Sequence, residues 1–159
     1  MKRYEPDKRI LGMLITSLMF YLLAIVVVAV LIVLRGVIDN NLPVTIGFGV
    51  AFIALVYMGI RALRMYLAAK SAYLEYDETV VNGTTNSSPK SKANRAFSIN
   101  RSEILSVAAN ETDMNKRASF QTLVINARSG SYHCFGIGEA EIKTAVRELS
   151  PPQEDEDIY

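Results

Sequence analysis

Ile10–Leu34 reads ILGMLITSLMFYLLAIVVVAVLIVL and Leu42–Ile60 reads LPVTIGFGVAFIALVYMGI, and neither run holds an Asp, Glu, Lys or Arg. A helix needs about 20 apolar residues to cross a bilayer core, whereas runs of 10–14 fit the interior of a soluble protein. These runs have 25 and 19 residues. Both therefore read as membrane spans, and the rest of the chain is placed relative to a bilayer.

The flanking charges set an orientation. Lys2, Arg3, Lys8 and Arg9 precede the first run, Arg61, Arg64 and Lys70 follow the second, and the connection has only Arg35. Lys and Arg are retained on the cytoplasmic side, most strongly in short flanks. The expected protein is integral to the plasma (bacterial inner) membrane, with both termini cytoplasmic. Signal peptides have apolar regions of about 7–15 residues ending in a small-residue cleavage site. The first run is longer and lacks that site, so a retained anchor is expected.

The predicted layout has three parts: a helical hairpin over 1–72, a β module over 73–150 and an acidic, disordered tail over 151–159. The first helix is expected from about Asp7 to Leu34, with residues 1–9 as a polar head. Its β-branched middle is no obstacle in lipid, where a helix satisfies its own backbone. Arg35–Asn41 reads as the turn. Pro43 suits the first turn of the second helix, where its missing N–H costs little. RALRMYLAAKSAYL continues without Gly or Pro, which extends that helix to about Ala72. From Pro43 to Ala72 it would span about 45 Å, against a hydrocarbon core of about 30 Å, so it projects into the cytoplasm as a post. Gly47, Ala51, Leu55 and Gly59 recur at four-residue steps, a candidate packing face for the first helix or another copy.

Beyond the post the apolar period falls from 3.6 to 2. Strands are expected at Tyr73–Val81, Ala96–Asn100, Ile104–Glu111, Phe120–Asn126 and Ser131–Gly136. Asn82-Gly83 reads as a turn, Thr84–Asn94 as a mobile polar loop and Ala127–Gly130 as a hairpin link. Glu139–Leu149 is a helix with Ile142, Val146 and Leu149 as its apolar stripe, stopped by Pro151-Pro152. The fold class is a membrane α + β protein: a two-helix hairpin, then a small antiparallel sheet closed by a C-terminal helix.

Two stretches carry a resemblance. FSINRSEILSV (Phe97–Val107) resembles the extended segment and following strand of the bacterial pleckstrin-homology-like (PH-like) family. LVINARSGSYHCFGIGEAEI (Leu123–Ile142) resembles that family's last hairpin, glycine-containing link and closing helix. The likeness covers Tyr73–Leu149. It implies a PH-like module that acts by binding, but a full pleckstrin-homology fold has seven strands where five are legible here. The resemblance therefore implies a shortened sheet with an open edge, which a second copy or a partner would complete.

Little in the chain points to catalysis. His133 and Cys134 are the sole residues of their types. Neighbours in a strand face opposite sides, so they form no nucleophile–base pair. The single cysteine excludes an internal disulfide, in keeping with a reducing compartment. Zinc needs three or four converging ligands, a spacing absent here, and Gly136-Ile-Gly138 is no phosphate loop. No cofactor, metal or nucleic-acid partner is expected, and the protein is read as a non-enzyme. The spans carry no charge that would mark an ion path.

The candidate ligand site is Lys90, Lys92 and Arg95, in the loop region where lipid-binding pleckstrin-homology domains carry basic contacts. Their K-x-K-x-x-R spacing departs from that family's usual pattern. Each basic residue near an anionic surface contributes about 1 kcal/mol. The functional expectation is a membrane-anchored adaptor that binds a protein partner or forms a homo-oligomer, with anionic lipid as a further ligand. The alternative is a small accessory subunit of a transport or envelope complex, with the hairpin as its interface.

Overall fold

The structure, a computed structural model, describes residues 1–38, 42–90, 92–110 and 121–151. Two helices dominate the first half. Helix α1 (Lys8–Ile32) starts at an N-cap made by Asp7, whose carboxylate accepts the Arg9 N–H at 2.7 Å; this satisfies one of the donors that a helix start leaves free. A wider, π-type segment (Val33–Ile38) prolongs it. Arg35 and Gly36 therefore belong to helical backbone and not to the expected turn, because neither residue forbids helical geometry next to an apolar run. Helix α2 (Leu42–Lys70) carries Pro43 in its first turn. Both helices are long and apolar enough to cross a membrane by length and composition.

The described strands number seven, in two antiparallel sheets. The first sheet has the order β1 (Lys2–Tyr4), β2 (Leu74–Tyr76), β3 (Val80–Thr85) and β4 (Arg95–Asn100). The second has the order β5 (Ile104–Asn110), β6 (Thr122–Ala127) and β7 (Gly130–Cys134). Helix α3 (Glu139–Leu149) follows.

Two corrections explain why seven strands appear where five were legible. The stretch Tyr73–Val81 is not one strand. The Asp77 carboxylate accepts from the Thr79 N–H at 2.8 Å, the Thr79 hydroxyl at 2.9 Å and the Val80 N–H at 2.9 Å, folding an Asx turn between β2 and β3. Asn82-Gly83 then lies within β3 instead of forming a turn. Close approach favours glycine at 83: a Cβ there would stand 3.0 Å from the Phe97 ring and from the Tyr73 carbonyl oxygen.

The second correction concerns the N-terminus. Residues 2–4 are no free polar head but the edge strand of the first sheet, with Lys2 opposite Tyr76, Arg3 opposite Glu75 and Tyr4 opposite Leu74. The hairpin of α1 and α2 is thus inserted between two neighbouring strands of one sheet.

One core takes side chains from both sheets and α3: Leu74, Val81 and Ile99 from the first sheet, Leu123 and Ile125 from the second, and Ile142 and Leu149 from α3. Ala145 is also buried, while Val146 is packed at its margin. In β5 a bulge between Ile104 and Ser106 lets Ile104 and Val107 both face inward and leaves Leu105 exposed. Phe97 of β4 stacks on Tyr132 of β7 with ring centroids 4.5 Å apart, linking the sheets. The β6–β7 link is a tight turn at Arg128-Ser129, with Gly130 at a φ of +143° that favours glycine.

Candidate functional site

The module is fastened to the base of the hairpin. Phe135 joins Ile10 and Leu14 of α1 and Ala68 and Ala69 of α2 in a second buried cluster. Its neighbour Gly136 has a φ of +91°, and a Cβ there would stand 3.0 Å from the Ala69 Cα. Both the backbone conformation and the close helix contact call for glycine. The Asp7 N–H donates to the Gly136 carbonyl oxygen at 3.0 Å.

A second tie runs through the segment expected to be mobile. Asn86 is buried, and its amide donates to the Lys92 carbonyl and to Asn94 Oδ1, each at 2.9 Å, while its oxygen accepts the Ser88 N–H. Asn94 in turn donates to the Ala68 carbonyl at 2.7 Å and to the Ser71 hydroxyl at 3.0 Å. The polar residues that read as a solvated loop are its internal fastenings, and they lay the segment against the end of α2. Thr84 and Thr85, expected in the loop, belong to β3.

This placement assembles basic side chains distant in sequence. Lys90 and Arg61 line one cavity of about 360 Å³ between α1 and α2. Lys92 and Arg64 line a separate one. Arg95 lies in neither; it opens β4, exposed and opposite Thr85. Sequence reading found Lys90 and Lys92 but did not join them to Arg61 and Arg64, because the joining element is Asn94, a side chain without distinctive chemistry. Among the described residues, no carboxylate pairs with Arg61, Arg64, Lys90 or Lys92. Arg61 lies over the Tyr57 ring, 5.5 Å from its centroid.

The candidate packing face divides. Gly59 is buried against α1, with Tyr21 and Ile25 within 3.8 Å of a Cβ placed there. Gly47 and Ala51 are exposed. Steps of four residues advance about 40° around a helix, so three steps turn the stripe about 120° away from its starting direction.

A third group closes the far end of the module. Lys2 and Glu148 form an ion pair, and the Tyr76 hydroxyl donates to Glu148 Oε2 at 2.8 Å and meets the Tyr4 hydroxyl at 3.1 Å. Lys2, and then Tyr76, hold the Glu148 carboxyl below its ordinary value, while burial first, and then the Tyr4 and Glu148 hydrogen bonds, push the Tyr76 phenol up. Arg101 donates to the Glu148 backbone carbonyl.

The two residues with catalytic potential are kept apart. Cys134 faces the core, where burial pushes its thiol up to about 12. His133 is only partly buried, on the opposite side of β7. Among the described residues no three His, Cys, Asp or Glu side chains converge to hold a metal. A further cavity, at the junction of β1, α1 and α3, sets Arg3, Lys8, Arg9 and Lys143 against four carboxylates, which gives it no single sign for a charged ligand.

Comparison with known proteins finds no family model, curated protein or solved structure that matches this chain.

Proposed function

We propose that this chain is a two-span protein of the plasma (bacterial inner) membrane that presents a cytoplasmic PH-like module as a binding scaffold for a protein partner. The observation that carries the reading is the pairing of Lys2–Tyr4 with Leu74–Tyr76 across the whole hairpin. If the hairpin spans a bilayer, both ends of it must emerge on one side. The positive flanks make that side the cytoplasm.

Several features support the parts of this proposal. Large side chains such as Phe20, Leu23, Val26, Val50 and Ile53 are exposed along α1 and α2, a surface too apolar for water and suited to lipid. The seven described strands, divided four and three, with a C-terminal helix over their shared core, agree with a PH-like module whose first connection has become the hairpin. Fastening through Phe135, Gly136 and Asn94 would hold the module at a fixed height, with Lys90 and Lys92 toward anionic headgroups. Binding and positioning, and not catalysis, is the mechanism such a rigid platform serves. The exposed Gly47 and Ala51 support the second reading, an accessory subunit whose hairpin meets a partner helix.

Single cysteines test the topology in a full-length Cys134→Ser background. In sealed cells Leu42→Cys should react with a membrane-impermeant maleimide, whereas Arg3→Cys and Glu75→Cys should react only after permeabilisation. Labelling of Arg3→Cys and Glu75→Cys from opposite sides would reject the proposal. Partner crosslinking then separates the two roles: loss on Ser131→Arg favours the module, and loss on Gly47→Leu favours the hairpin.

A further inference from the structure

The groove between α1 and α2 that Lys90 reaches has a divided character. Tyr21 and Met58 form its deeper walls, Met13 and Met65 line it nearer the module, and Arg61 and Lys90 are its cations. Arg61 is the first charge after the uncharged run of α2. Lys90 is half-buried and lines the groove from a segment fastened to the end of α2 through Asn86 and Asn94.

From this juxtaposition we propose that the groove binds one anionic glycerophospholipid, its headgroup between Arg61 and Lys90 and an acyl chain along the methionine-lined wall. The inference rests on the membrane-spanning reading above. Charge complementarity selects the occupant. Two cations without a carboxylate partner among the described residues favour a net negative group. A free anion would leave the apolar wall unused, and a zwitterionic lipid would bring no net charge to the cations. A cavity of about 360 Å³ lies within the range of small-ligand pockets. Methionines suit a flexible chain because their unbranched side chains adapt to irregular apolar shapes.

The test uses the full-length chain in a neutral detergent, titrated with phosphatidylglycerol or phosphatidylcholine and read by native mass spectrometry. One phosphatidylglycerol per chain should bind in preference to phosphatidylcholine. At about 1 kcal/mol per cation, Arg61→Gln with Lys90→Gln should weaken that binding about thirtyfold. Arg61→Lys with Lys90→Arg should retain most of it, and Lys143→Gln on α3 should leave it unchanged. Equal binding of the two lipids, or undiminished phosphatidylglycerol binding by the glutamine variant, would overturn the proposal. Alkaline extraction of membranes separates the two levels: a chain that stays in the membrane but shows no lipid preference loses this site alone. A chain released by alkali loses the membrane-spanning reading and this site with it.

Discussion

The Asp7 N–H donates to the Gly136 carbonyl oxygen at 3.0 Å, joining the residue that caps α1 to the link that enters α3. The bond lies beside the cluster of Phe135 with Ala68 and Ala69. Hairpin and module thereby share a packed junction that starts, in sequence, before the first helix. The function proposed here depends on that junction being rigid.

Gly136→Ala should loosen it. The new Cβ would meet the Ala69 Cα at 3.0 Å and the Ala72 Cβ at 3.1 Å, from a φ of +91° that side chains rarely adopt. The expected loss is about 1–3 kcal/mol, seen as a lower unfolding midpoint of the full-length chain in detergent. An unchanged midpoint would show that the contact yields easily.

Asn86→Ala should free the basic segment. It removes two donated bonds and one accepted bond from a buried position, a cost of about 1–3 kcal/mol. Hydrogen exchange over residues 86–94 should accelerate while α3 remains protected. Protection equal to that of the parent chain would mean that Asn94 alone secures the segment.

Glu148 predicts an acid response. Its carboxyl is held below the ordinary value of 4.5 by Lys2 and Tyr76, so its contribution is present above that value and fades as pH falls through the lowered one. Glu148→Gln should flatten the decline of the unfolding temperature below pH 4.5. Asp77 and Glu139 are lowered too, so part of the slope should survive. A slope identical to the parent's would exclude Glu148 as a contributor.

Cys134 supplies a probe of integrity. Buried, with its thiol pushed up to about 12, it should resist maleimide at neutral pH in the folded chain and react on unfolding. Rapid labelling under native conditions would contradict the packed core.

The long features were legible in sequence because each repeats one signal many times: two uncharged runs, the period-2 stretches and the stripe of α3. The short ones were not. Lys2-Arg3-Tyr4 is too brief to show a period, and Pro6 and the adjoining apolar run draw it toward the hairpin. Asn82-Gly83 carries the composition of a turn, yet Asp77 folds the chain earlier and the Phe97 ring lies close over the glycine. The basic site was half visible: Lys90 and Lys92 stood out by charge, but their approach to Arg61 and Arg64 depends on Asn86 and Asn94, whose hydrogen bonds span the fold.

The central claim is that residues before the first long helix and after the second form one sheet. Arg3 and Glu75 are paired across β1 and β2, and Cα atoms so placed stand about 4.5–5.5 Å apart, within the reach of a disulfide. The direct measurement is oxidation of full-length Arg3→Cys, Glu75→Cys, Cys134→Ser chain in native membranes, followed by thiol counting. Coupled loss of both thiols within one chain is the predicted result. Two thiols that stay free under oxidation, while each reacts readily with maleimide, would contradict it.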